Sequence, residues 1–115
     1  MDVVAYPAAS DGEEIDEALK EHLNAYRDGF RLGGYKIFLD GSPQSRTAWM
    51  RTPYLGTEDR GYPTLTDEQV EESVNMALKK KRQLLAHCNG DAAAEQYLRV
   101  LEQAAAAGAD VADTL

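Results

Sequence analysis

At 115 residues the chain has room for one domain at most, and 43% hydrophobic residues let it build a core rather than stay disordered. A net charge of −8 argues against a nucleic-acid backbone or an anionic membrane surface as partner. The one cysteine, Cys88, cannot close an internal disulfide, no run approaches the ~18 apolar residues of a membrane span, and the N-terminus lacks a basic-then-apolar leader; the cytoplasm is the default compartment.

Asp2-Val3-Val4-Ala5-Tyr6 reads as a buried strand with Val3, Val4 and Ala5 at its core, ended by Pro7, which lacks a backbone donor. Ser10-Asp11-Gly12-Glu13 has the spacing of a capping box, with Ser10 as N-cap. The helix it opens places Ile15, Ala18, Leu19, His22, Leu23 and Tyr26 on one stripe of period 3.6. His22, lying on that stripe, reads as a packed side chain rather than a ligand. Gly29, Gly33 and Gly34 then break the pattern and lead into a second strand, Tyr35-Lys36-Ile37-Phe38-Leu39.

Lys36 is the anomaly of that strand. A buried ammonium costs several kcal/mol unless paired or neutralised, although lysine is also common at sheet edges, where it snorkels. Asp40 to Leu65 is a long connection whose three prolines and whose aromatics Trp49, Tyr54 and Tyr62 suit either a lid over a pocket or a pad on the outside of the fold.

Thr66-Asp67-Glu68-Gln69 is a second capping box, and Val70, Val74, Ala77, Leu78 and Met76 point inward from its helix. The run Lys79-Lys80-Lys81-Arg82 reads as a solvated helix end. The strand Leu84-Leu85-Ala86-His87 follows at once, and its last side chain is a histidine. Asp91 is expected to cap the final helix, with Ala94, Leu98, Leu101 and Ala105 as the buried stripe. Strands alternating with helices long enough to cross over predict an α/β fold with parallel strands, where chemistry gathers at the carboxyl ends.

The polar groups near those ends are Lys36, Asp40, His87 and Asp91. Neutral imidazole suits zinc and similar metals, but a catalytic zinc site usually takes three protein ligands, and the chain has two histidines. It has no Cys-x-x-Cys, His-Glu-x-x-His, phosphate-cradling glycine loop or nucleophile elbow. It is therefore not a complete metalloenzyme on its own visible ligands.

Two strings add a resemblance. Gly33-Gly34-Tyr35-Lys36-Ile37-Phe38-Leu39-Asp40-Gly41-Ser42-Pro43-Gln44-Ser45-Arg46-Thr47-Ala48-Trp49 and His87-Cys88-Asn89-Gly90-Asp91-Ala92-Ala93 resemble, in the same order, motifs of YtcJ-like metal-dependent amidohydrolases, a group that includes the N-substituted formamide deformylases. Tyr54-Leu55 and Gly61-Tyr62-Pro63 fit the segment between them. Ser45, where the family tends to glycine, and Cys88, where alanine is usual, depart from the pattern.

The resemblance implies that residues 1–115 are a single partial domain, an internal segment with about three strands of a TIM-type (β/α)8 barrel. It implies Lys36 and His87 as metal ligands, Lys36 after carboxylation to an anionic oxygen donor, and Asp40, Arg46 and Trp49 near the substrate. Asp91 would be a structural cap behind the His87 turn. The cofactor implied is a divalent metal, zinc first, in a full-length parent that hydrolyses C–N bonds of small amide-type substrates. The family's His-x-His, its later histidine and its aspartate have no counterpart here, so the chain alone is expected to be inactive, to carry no stoichiometric metal, and to self-associate through open sheet edges. The rival reading is a stand-alone α/β interaction module without chemistry. A receiver-like domain fits less well, since no acidic cluster follows the first strand.

Overall fold

A computed structural model of the chain describes residues 1–23, 25–109 and 111. The fold is mixed α/β with parallel strands, in the order β1 (Val3–Ala5), α1 (Gly12–Ala18), β2 (Phe30–Leu32), β3 (Gly34–Phe38), α2 (Asp67–Lys79), β4 (Gln83–His87) and α3 (Asp91–Ala106). β1 pairs with β2 and β3 pairs with β4, both in parallel. The two pairs are continuous. Gly33 N–H donates to the Ala5 carbonyl, and Lys36 N–H donates to the Pro7 carbonyl at 2.8 Å, so β2 and β3 are two halves of one strand line flanked by residues 3–8 and 83–87.

β2 was not expected from the glycine-flanked sequence. It forms because Gly33 and Gly34 interrupt the line without ending it. From the Ala5–Leu32 pair to the Ala8–Lys36 bridge the first line advances three residues and the second four, so one extra residue is absorbed as a bulge. Gly34 is required there for close approach, since a Cβ would overlap the Gln83 carbonyl oxygen of β4.

Alternation along β3 and β4 separates two faces. Tyr35, Ile37, Leu39 and Leu84 join Val70, Val74 and Ala77 of α2 and Ala93, Tyr97, Val100 and Leu101 of α3 in the core. Lys36, Phe38, Leu85 and His87 point to the opposite face, where Phe38 is 54% exposed. The Thr66–Gln69 capping box of α2 forms as expected, with both reciprocal hydrogen bonds present.

Several sequence expectations are corrected. β1 is short and Val3 is exposed, because one face of this strand has no covering layer among the described residues. Asp11, not Ser10, precedes α1, and neither supplies a side-chain cap. α1 ends at Ala18 and is followed by a 3-10 turn, Lys20–His22, so Ala18, Leu19 and Tyr26 of the predicted stripe are exposed and Gly12 and Asp16 are buried instead. In α3 the buried face is Ala92, Ala93, Gln96, Tyr97, Val100 and Leu101, while Leu98 and Ala105 face out. The period was right and the phase was not, since alanines on every side of this helix leave the apolar stripe poorly defined.

Arg82 departs furthest from its expected role. It is 5% exposed and leaves the lysine run to enter the fold. Its Nη1 donates to Asp16 at 2.9 Å, its guanidinium lies 5.1 Å from the Tyr35 ring centroid, and the Tyr35 hydroxyl donates to the same Asp16. Burial, then the Asp16 hydrogen bond and charge, push the Tyr35 phenol well above its ordinary pKa. This cluster ties α1 to the amino-terminal ends of β3 and β4.

Candidate functional site

The carboxyl ends of β3 and β4 lie side by side, with Phe38 paired to His87. β3 runs on through Leu39, whose N–H donates to the His87 carbonyl at 3.0 Å, and delivers Asp40 and Gly41 beside the turn His87-Cys88-Asn89-Gly90. Here the two strings singled out in the sequence meet.

Asp40 is 3% exposed. Its carboxylate accepts the backbone N–H groups of Trp49 at 2.9 Å, Asn89 at 2.9 Å and Gly90 at 2.7 Å. Burying a carboxylate costs several kcal/mol, and charge-assisted hydrogen bonds of about 1.5–3 kcal/mol each offset that cost here. The three donors come from two loops, so the carboxylate joins the long connection after β3 to the turn after β4.

Gly41 contributes its carbonyl, which accepts from His87 Nε2 at 3.0 Å and from Asn89 Nδ2 at 2.9 Å. A carbonyl only accepts, so Nε2 carries the proton, and in the neutral ring Nδ1 holds the lone pair. Nδ1 has no hydrogen-bond partner among the described residues. The ring is 32% exposed and tilts against Phe38, 5.6 Å between centroids, while Asp40 Oδ1 stands 3.8 Å from Nε2.

Lys36 shares the face of His87, one alternate position before Phe38. It is half-buried, its Nζ lies 5.6 Å from the Phe38 ring centroid, and it has no ion pair among the described residues. Cys88 faces the helix layer, where burial first and the Asp40 charge second push its thiol pKa up, against a smaller lowering by Lys36.

The other sequence-predicted positions divide. Trp49 is brought in: its N–H binds Asp40, its carbonyl accepts from Ala92 N–H at 3.2 Å, and its side chain packs against the core. Arg46 is not. It sits exposed in the turn after Pro43 with φ +58°, and its side chain has no partner among the described residues. Asp91 is displaced by one position from its expected role, because Gly90 is the N-cap and Asp91 the first residue of α3. Gly90 takes that place because a Cβ there would overlap the Trp49 carbonyl. The Asp91 carboxylate still accepts two amides, Ala92 N–H at 2.9 Å and Arg51 N–H at 2.8 Å.

Gly41, Asn89 and Gly90 were missed as functional positions. Their neighbours Asp40 and His87 stand out in the sequence, but backbone carbonyls and amides carry no sequence signature. The long connection is ordered by its own bonds, including Tyr54 hydroxyl to the Ala48 carbonyl at 2.6 Å and Met50 N–H to the Arg60 carbonyl at 2.7 Å. Its far end returns to β3, where Thr64 N–H donates to the Leu39 carbonyl at 3.1 Å.

The amidohydrolase family model matches residues 1–114. Among solved structures, the chain is similar to an uncharacterized metal-dependent hydrolase from Pyrococcus furiosus, at 26% identity and TM-score 0.77 over 91% of this chain and 22% of that one. It is also similar to an uncharacterized metal-dependent hydrolase from Pyrococcus horikoshii OT3, at 26% identity and TM-score 0.70 over 90% of this chain and 21% of that one. The chain thus spans about a fifth of the length of these two proteins. No curated protein sequence matches it.

Proposed function

The chain belongs to the amidohydrolase family, and on that premise we propose that it forms about three staves of a TIM-type barrel whose carboxyl-end site hydrolyses C–N bonds of small amide-type substrates. The proposal extends to the YtcJ-like group, on the strings around Lys36 and His87. One observation carries it. His87 presents a half-exposed imidazole at a strand's carboxyl end, with Nε2–H held by a backbone carbonyl and Nδ1 left open, on the same face as Lys36. Metal-ligating histidines characteristically donate their second ring N–H in this way.

The donor set fits part of a metal centre. His87 offers a neutral nitrogen through Nδ1. Lys36 offers an oxygen once its uncharged Nζ has bonded to the carbon of CO2 and lost a proton. No group of three or more His, Cys, Asp or Glu gathers among the described residues, so these two would be a minority of the ligands, with the remainder supplied by the larger barrel. A bound divalent ion, zinc first, supplies Lewis acidity and lowers the pKa of water. The chain's own residues hold the imidazole in one tautomer, keep Lys36 and His87 on one face, and set Phe38 as an apolar side chain beside both.

Isolated from such a barrel the chain is proposed to be inactive. The exposed Phe38 and Val3 favour self-association. No helix among the described residues is long and apolar enough to cross a membrane, and a reducing cytoplasm is the proposed setting for the free Cys88. The reading is tested by zinc titration of the chain in bicarbonate buffer, followed by imidazole nitrogen NMR and by the carbamate carbon signal. A weak zinc-dependent shift at His87 Nδ1, as a partial ligand set gives, that Lys36→Ala weakens further is the expected result; zinc in large excess that perturbs neither residue removes the reading of these two as ligands.

A further inference from the structure

We propose that Asp40 is a positioning residue that sets the His87 imidazole without touching it, by fixing the Gly41 carbonyl against Nε2. This deepens the reading of His87 as a ligand and rests on it for its function, though not for its geometry.

The ring hydrogen bond is made by Gly41, yet a carbonyl at the start of a 26-residue irregular connection, residues 40–65, has no strand partner to hold its direction. Within the loop its peptide is held by Ser42 N–H, which donates to Thr47 Oγ1 at 2.9 Å, and what holds that loop to the His87 turn is the neighbouring carboxylate. Asp40 binds Asn89 and Gly90 N–H groups, which belong to the turn that carries His87, and Trp49 N–H, which closes the loop back on itself. The Gly41 carbonyl and the His87 ring are thereby attached to one rigid knot at both ends. The centre of the knot is a buried carboxylate surrounded by donors, so the three bonds strengthen one another in a low dielectric. Asp40 Oδ1 stands 3.8 Å from Nε2, beyond hydrogen-bond reach, so the carboxylate acts through the backbone. Asn89 Nδ2 also reaches the Gly41 carbonyl, but from an exposed side chain open to water.

The test uses the full chain in mildly alkaline buffer, where imidazole is neutral. Exchange of the His87 Nε2 proton with solvent reports whether the carbonyl is held, a quantity that a merely stabilising residue would not move while the fold persists. In the wild type the proton is expected to be protected. In Asp40→Asn, with amide dispersion retained, protection should fall by about tenfold or more, and zinc affinity at Nδ1 should weaken about 10–100-fold, the range typical of lost outer-shell partners. Asn89→Ala leaves the carboxylate in place and should retain the protection; if Asp40→Asn does not fold, this variant decides, because loss of protection in it would assign the role to the Asn89 amide and overturn the proposal. An unprotected wild-type proton, or unchanged protection in a folded Asp40→Asn, overturns it equally. A protected proton that Asp40→Asn releases, in a chain that binds no zinc at His87, upholds the positioning role and removes only the ligand reading.

Discussion

The two ends of the β3–β4 pair each bury an aspartate, and the two carboxylates are occupied differently. At the amino-terminal end Asp16 takes side chains, the Arg82 guanidinium and the Tyr35 hydroxyl, and the charges close on one another. At the carboxyl end Asp40 takes three backbone amides and has no cation in contact, leaving His87 half-exposed beside it. A buried ion pair is strongly destabilising to break, because the survivor is stranded. A carboxylate satisfied by amides fixes loop geometry and leaves nearby side chains available to a ligand. One end locks the fold, and the other, on the proposed reading, presents a group for chemistry.

The sharpest way to break this contrast is Arg82→Ala, which strands Asp16 and should cost about 3–5 kcal/mol in urea denaturation while leaving His87 Nε2–H protection unchanged in the folded fraction. Coupled loss at His87 would show that the two ends are not independent.

Alkaline titration comes next. Burial, with a smaller contribution from Cys88, pushes the Tyr97 phenol up to about 12. Its folded pKa is above the unfolded value of ~10, so the neutral phenol stabilises the fold fully below that value. On the order of 2 kcal/mol is then lost as pH rises through the folded pKa. Tyrosinate absorbance should show Tyr35 and Tyr97 ionising last and together with unfolding, because both belong to the buried helix-facing layer.

Gly90→Ala attacks the carboxyl end without touching a charge. Its Cβ would displace the Trp49 carbonyl, and about 2 kcal/mol of overpacking should appear in denaturation together with loss of His87 protection. Tyr35→Phe, at the opposite end, removes one of two Asp16 partners and should cost about 1 kcal/mol with His87 unaffected. The smallest effect is chemical: Asp40→Asn removes the charge that helps hold the Cys88 thiol protonated, so reaction with a disulfide reagent should quicken about threefold. Equal rates would place Asp40 outside the electrostatic reach of the turn.

Much of the local structure was legible. The α2 capping box, the inward Val70, Val74 and Ala77, and the two parallel strands ending near Asp40 and His87 follow from short-range patterns. The phase of α3 was not, because Leu98 and Leu101 are three residues apart on an alanine-rich helix and either suits a core. Nor was Arg82 legible: three lysines before it predict a solvated end, and its burial is explained by Asp16, 66 residues earlier, with the Tyr35 ring and the Leu32 carbonyl.

By itself the sequence determined most element types, though not β2, and the residues with chemical potential, since propensity, capping and periodicity act within a few residues of chain. Tertiary structure alone decided what those residues do. It brought Asp40 to Asn89 and Gly90 across some fifty positions, gave His87 its tautomer through the Gly41 carbonyl, and left Arg46 in solvent. The physical reason is that hydrogen bonds to backbone amides and carbonyls depend on where the chain passes, not on which side chain it carries there.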